Sequence, residues 1–217
     1  MPTTTKKRVL IIYYTFTQQT RIQLLRFAAG LKRSGVEVTL ERLVPIEPYP
    51  YPFKTFLQLA IAMIATFFQR RMAIRPIAAH CAEHWDCIVL AGPTWSYNPS
   101  GPILSFIDRY GESICRGRRV VPFISCRAYW RPHFWILRRR LQRCGATVEN
   151  PVVFTHPFTE PWRSLGLLLK LQGTIGQKRF SWVRRYYPRY GHSNTQRLEA
   201  LEQGRLLAEK LRQAEWS

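Results

Sequence analysis

Val9-Leu10-Ile11-Ile12-Tyr13-Tyr14-Thr15-Phe16-Thr17-Gln18-Gln19-Thr20 runs from a short apolar stretch into a polar loop that opens a helix. Five continuous apolar residues, mostly β-branched or aromatic, read as a buried strand of a parallel sheet. From Thr20 to Arg33 the residues Ile22, Leu24, Leu25, Phe27, Ala28 and Leu31 recur at helical spacing, and Ser34-Gly35 supplies a stop. Val36 to Leu43 then alternates apolar and polar, as an edge strand does. Strand, loop, helix and strand span about 35 residues, the length of one βαβ unit. The fold class is therefore α/β.

The same alternation continues down the chain. Asp86–Ala91, Arg119–Ile124 and Thr147–Thr155 read as further strands, with Pro151 marking a bulge or an edge in the last of them. Ile103–Arg109 reads as a short helix, Trp130–Arg143 as a basic amphipathic helix stopped by Cys144-Gly145, and a closing helix capped by Asn194 extends to Arg212. Right-handed crossovers make a doubly wound five-stranded parallel sheet of order 2-1-3-4-5 the simplest arrangement. The expected organisation is one domain over residues 1–217, interrupted at about 44–84 and 156–193.

Composition narrows the function classes. Apolar residues make up 46% of the 217 residues and aromatics 13%, which excludes disorder. Thirty-three Lys and Arg against thirteen Asp and Glu give a net charge of +20 and call for an anionic partner. Residues 116–143 hold nine arginines and no acid, and residues 161–190 hold seven basic residues and no acid. Cys81, Cys87, Cys115, Cys126 and Cys144 are odd in number and lack metal-site spacing, so neither a zinc site nor a disulfide framework is expected. No signal peptide is read at the N-terminus, which makes the cytoplasm the expected location.

In an open α/β sheet, ligands bind in the crevice at the carboxyl ends of the strands. Three loops lie there: Thr15–Thr20, Ala91–Ser100 and Ser125–Tyr129. Backbone amides at a helix start bind phosphate, and the hydroxyls of Thr15, Thr17 and Thr20 add donors. The competing reading is a plain capped helix entry. Thr15-x-Thr17-x-x-Thr20, Gly92-Pro93-Thr94-Trp95-x-x-x-Pro99-Ser100-x-Pro102 and Ser125-Cys126-Arg127-Ala128-Tyr129 together resemble the three ligand loops of the flavodoxin-like family. The resemblance covers about residues 8–43, 86–155 and 194–212, and its specific part is Gly92-Pro93-Thr94-Trp95.

It implies an FMN site. Thr15, Phe16, Thr17, Gln18, Gln19 and Thr20 would hold the phosphate; Pro93, Thr94, Trp95, Ser96, Tyr97, Ser125, Cys126, Arg127 and Tyr129 would surround the ring system. Trp95 and Tyr97 are the stacking candidates, against the alternative that Trp95 packs on its own neighbours. Gln18 stands where the family has glycine, which costs about 1 kcal/mol if the turn needs a positive φ. Reduced flavin carries negative charge, so basic surroundings favour a two-electron reductase fed by NAD(P)H over a low-potential carrier. A quinone-like or hydrophobic acceptor is the expected substrate.

The flavodoxin-like branch labelled dialkylresorcinol condensing enzyme carries a similar Trp-loop and a later Cys-Arg, here Cys126-Arg127. A non-redox protein of that kind, or a membrane-associated scaffold, is the alternative function. Cys126 with His133 or His156 is the one grouping that bears on it, and a thiolate lowered by Arg127 would be needed.

The two interruptions are greasy. Phe53–Phe68 is apolar nearly all round and shorter than the roughly 20 residues a spanning helix needs. Trp162, Leu165, Leu167, Leu168, Leu169 and Leu171 echo it, followed by Phe180, Trp182, Tyr186, Tyr187 and Tyr190 among Arg184, Arg185 and Arg189. They either pack on each other as a cover or homodimer surface, or they rest peripherally on an anionic membrane at its inner face. Nucleic acid is not an expected partner.

Overall fold

The computed structural model describes residues 6–157, 160–174 and 192–213. Phe180, Trp182, Arg184, Arg185, Tyr186, Tyr187, Arg189 and Tyr190, the aromatic and basic end of the second insertion, lie outside the described residues.

The sheet is built from β1 (Arg8–Tyr13), β2 (Glu37–Arg42), β3 (Cys87–Trp95), β4 (Asn98–Pro99), β5 (Arg119–Cys126), β6 (Thr147–Val148) and β7 (Val152–Thr155). Its main path is β2-β1-β3-β5-β6, with β7 also parallel to β5. β6 and β7 are two halves of the expected fifth strand, and they part at Glu149-Asn150-Pro151, where proline removes a ladder donor. Order 2-1-3-4-5 is thus the observed order. The extra segment is β4, a two-residue antiparallel return against Thr94 and Trp95.

The helices are α1 (Gln19–Arg33), α2 (Phe56–Phe67), α3 (Gly101–Cys115), α4 (Trp130–Arg143), α5 (Trp162–Leu171) and α6 (Asn194–Arg212). α3 is much longer than the helix expected at Ile103–Arg109. Gly111 does not end it, because there the chain passes close to α4: an added Cβ would lie 2.8 Å from Cys144 Sγ. The cap of α6 is Ser193 rather than Asn194. Its side chain accepts from Gln196 N while Gln196 reaches back to the Ser193 amide, a complete capping box.

Strand alternation divides the core. Val9 and Ile11 face α1 and α6 with Leu24, Phe27, Phe123 and Leu207; Leu10 and Ile12 face the other way with Ile88, Phe106, Leu137 and Leu141. α1 and α6 meet through paired glycines. A Cβ on Gly30 would sit 2.0 Å from Leu201 O, and one on Gly204 would sit 2.1 Å from Phe27 O. Backbone touches backbone there, so a methyl group must push the helices apart.

Gly204→Ala is accordingly expected to destabilise the protein by about 2 kcal/mol or more, despite alanine's better helix propensity. Denaturant unfolding that shows equal or greater stability for Gly204→Ala would contradict this packing.

Candidate functional site

The three strand-end loops converge, but their residues do different things. At the first loop Gln18 is the N-cap of α1 with φ 65 and ψ −4, and its side chain makes no capping bond. The turn therefore does take the left-handed conformation that favours glycine. Thr15 and Thr20 are buried, and the Thr15 Oγ1 has no partner among the described residues. The first-turn amides of α1 have no intrahelical acceptor by geometry. Gln19 turns aside, its Oε1 accepting from the His192 amide at 3.3 Å. Phe16, between the threonines, points the other way into an aromatic group with Tyr51, Phe53 and Trp95.

The second loop is a hairpin. Ser96 and Tyr97 take φ 43 and 71, the two positive values of a tight two-residue turn between twisted strands. Helix α2 clamps it. Ser96 Oγ donates to Met63 O at 2.9 Å and lies 2.8 Å from Thr66 Oγ1. Asn98 Nδ2 reaches Thr66 O, Phe67 O and Ser96 O at 3.1, 2.9 and 3.0 Å. Asn98 gives Phe67 O in the last turn of α2 a donor and joins the Gln69 amide on Thr66 O.

A cavity of about 530 Å³ opens beside this hairpin, in the size range of small-molecule sites. Phe16, Tyr49, Trp95, Tyr97 and Tyr129 contribute aromatic wall, and Thr94, Ser96 and Arg127 contribute the polar edge. Trp95 packs on Tyr14, Phe16 and Tyr49 with ring centroids 5.5 to 5.7 Å apart, so it is both wall and core. Tyr97 and Tyr129 are exposed at the rim, their centroids 5.4 Å apart.

Both insertions complete this cavity. α2 supplies Leu59, Ala62, Met63 and Phe67, and α5 supplies Leu167, Leu168 and Leu171. They also touch each other: Phe53 N donates to Leu171 O at 2.8 Å, and Leu168 and Leu171 pack on Phe53, Leu59 and Ala62. Arg127 ties the third loop to α5, donating to Ser164 Oγ at 2.8 Å and lying 3.8 Å from Glu160. Glu160 accepts from Ser164 N and Arg163 Nε, and the Ser164 hydrogen bond, more than the neighbouring guanidinium groups, holds its carboxyl below the usual range.

Pro93 pairs with Ser125 across the sheet, behind the cavity. Cys126 is buried and does not line the cavity; burial pushes its thiol up to about 12, with a Thr94 hydrogen bond only partly offsetting this. Burial thus favours the protonated thiol over a reactive thiolate. The Cys126–His133 grouping is met indirectly, through Thr94, whose Oγ1 is 2.7 Å from His133 Nδ1. His156 also approaches, its amide donating to Cys126 O at 3.1 Å.

His192 was not among the expected site residues. It is buried 2.9 Å from Ser125 Oγ, with its ring 6.5 Å from that of His156. No local pattern around His192 marks it; chain reversal alone brings it to the strand ends.

Burial lowers His133 to about 3, and it lowers His156 and His192 to about 4 each. All three are neutral in the folded protein. Below the unfolded value of about 6.5 the unfolded chain binds these protons and the folded one does not, so stability falls as pH drops toward the folded values. For His133 this amounts to about 2 kcal/mol between pH 7 and pH 5. His133→Gln, which keeps a partner for Thr94, is expected to lose stability at pH 7 yet to show a shallower acid decline by that amount. Equal acid slopes in urea unfolding would refute it. Gln18→Gly is expected to gain about 1 kcal/mol by relieving the left-handed turn; a loss of midpoint would show the Gln18 side chain to be stabilising.

No protein-family model and no curated protein sequence matches the chain. Solved structures do. A flavodoxin from the domain Archaea superposes with a TM-score of 0.54 at 12% identity, over 94% of this chain and 98% of its own. A flavoprotein in complex with FMN from Lactobacillus acidophilus gives 0.54 at 17% identity, over 68% of this chain and 93% of its own. A flavone reductase gives 0.50 at 13% identity, over 96% of this chain and 64% of its own. The structural neighbours are flavodoxin-like flavoproteins, and the fold of this chain is flavodoxin-like.

Proposed function

We propose that the chain is an FMN-dependent oxidoreductase that passes two electrons from NAD(P)H to a neutral, quinone-like or other lipophilic acceptor. The observation that carries this reading is the junction at Phe16. On one side of it lies the α1 entry with the buried Thr15 hydroxyl, which has no partner among the described residues; on the other lies the aromatic cavity. A ligand with an anionic head and a flat apolar body, such as the FMN held by the Lactobacillus acidophilus flavoprotein, has the same two halves.

In this reading Thr15, Thr17, Thr20 and the amides of Gln18 and Gln19 hold the phosphate, where the α1 dipole favours negative charge. Trp95, Tyr97 and Tyr129 border the ring system, with Ser96 and Arg127 at its polar edge. Pro93, Thr94, Ser125 and Cys126 support the loops from behind. Bound FMN would supply hydride and electron transfer between the nicotinamide and the acceptor. The leucines of α5 and the apolar face of α2 keep water from the ring and leave room only for an apolar acceptor. The flavone reductase among the structural neighbours is named for a flat, hydrophobic substrate, in keeping with such a site. An acceptor of this kind partitions into lipid, so the reading carries with it a peripheral position at the cytoplasmic face of a membrane. A condensing chemistry on Cys126 is not favoured, because burial favours its protonated thiol and it does not line the cavity.

The purified protein is expected to be yellow, absorbing at about 450 nm, and to release FMN on denaturation. Thr15→Val is expected to weaken FMN binding about tenfold or more in a fluorescence-quenching titration, the effect of losing one hydrogen bond to a charged group. A colourless protein that FMN cannot reconstitute would overturn the proposal.

A further inference from the structure

Helix α2 uses one face to roof the cavity and leaves an adjoining face bare. Leu59, Ala62 and Thr66 are buried. Leu57, Ile61, Ile64 and the capping Phe68, spaced four, three and four residues apart, form a single outward stripe and are 68%, 55%, 60% and 76% exposed. Phe56 and Phe67 extend the stripe sideways. A contiguous apolar face of this kind on a water-facing surface marks a docking site.

The surrounding charge indicates the occupant. From Pro48 to Ala82 the chain has no acidic residue, while Lys54 precedes the helix and Arg70 and Arg75 follow it; Arg71, like Arg140, is paired with Asp108 of α3. Arg140 of α4 donates to Gln69 at the end of α2 at 3.0 Å. The same α4 exposes Trp135, with Arg139 stacked 4.7 Å above its ring. In a two-fold dimer the same patch would meet itself, and these cations would face their own copies. An anionic bilayer offers apolar depth for the stripe and negative headgroups for its flanks. At 12 residues, α2 is about 18 Å long against a hydrocarbon core of about 30 Å, so it lies in the interface. Among the described residues no helix is long and apolar enough to cross a membrane.

We infer that the outer face of α2, from Leu57 to Phe68, docks on an anionic lipid surface and lies in the headgroup–acyl boundary. Met63, Ile64, Phe67 and Phe68 also border the cavity. The docked face and the cavity mouth are therefore continuous, and a lipophilic molecule could pass from the acyl region into the cavity without crossing water. This inference stands on the surface alone and does not depend on which cofactor the cavity holds.

Co-sedimentation of the full-length protein with phosphatidylglycerol/phosphatidylcholine vesicles and with pure phosphatidylcholine vesicles, at low and high salt, tests it. We expect binding to the anionic vesicles that weakens with salt, and at least about a tenfold loss in Ile61→Gln/Ile64→Gln with an unchanged near-ultraviolet circular dichroism spectrum. If that variant misfolds, Lys54→Glu/Arg70→Glu serves in its place and is expected to lose the salt-dependent part of the binding. A wild-type protein that stays in the supernatant with anionic vesicles overturns the inference. So does equal binding by the folded variants, or a wild-type dimer in gel filtration that the Ile61/Ile64 substitutions disperse, which would make a second copy the occupant.

Discussion

One side-chain amide holds the cavity together. The Nδ2 group of Asn98, buried at the start of β4, is shared by three carbonyls: two at the end of α2 and one in the Ser96-Tyr97 turn. It finishes a helix that lies outside the sheet, and it fixes a turn in which neither residue is glycine. A buried amide left without these acceptors would face a desolvation penalty of about 1–3 kcal/mol, so the contact is restrictive as well as favourable. Because Asn98 requires both partners, α2 cannot leave the hairpin without orphaning polar groups on each side. The apolar roof, the aromatic wall and the rim tyrosines all take their places from this junction.

The strands, their order and the three ligand loops are legible in the sequence because each rests on a local pattern. Continuous apolar runs mark buried parallel strands, Ser34-Gly35 and Cys144-Gly145 mark helix ends, and Pro151 marks the break between β6 and β7. The limits of the reading have physical causes too. Ser96 and Tyr97 are poor turn residues, and the bonds of Ser96 to Met63, Thr66 and Asn98 hold the turn, so no local signal ends β3 at Trp95. The helix expected to end at Arg109 runs on to Cys115 through Gly111, a point of close approach to Cys144. Ser193 caps α6 through a reciprocal bond with Gln196 that also reaches Thr155 O, a contact between distant parts of the chain.

The site divides in the same way. The Thr15–Thr20 loop is legible as a cradle, and the positive φ at Gln18 is what its place in the pattern requires. Two greasy insertions are legible as greasy, but composition alone leaves mutual packing and membrane contact as rivals. In the structure the inner face of α2 packs with α5 over the cavity, and its outer face remains apolar and exposed. His133, His156 and His192 show what sequence separation hides. They are scattered along the chain and gather behind the loops, where the buried His133 and His192 serve Thr94 and Ser125 as hydrogen-bond partners and His156 lies half-buried beside His192.

Charge and cavity also prove less directly connected than a net +20 implies. Among the residues that line the cavity, Arg127 is the one basic or acidic side chain, and its guanidinium is already shared between Ser164 and Glu160. Much of the remaining excess lies on outward arginines such as Arg131, Arg138 and Arg139, where solvent and salt screen it over about 10 Å. The basic surface therefore acts on what approaches the protein, while the cavity selects by shape and apolarity. A neutral acceptor meets no desolvated charge on entering, whereas an anionic one would have to compete with Glu160 for Arg127. Charge and selectivity are thus divided between a basic exterior and a largely neutral interior.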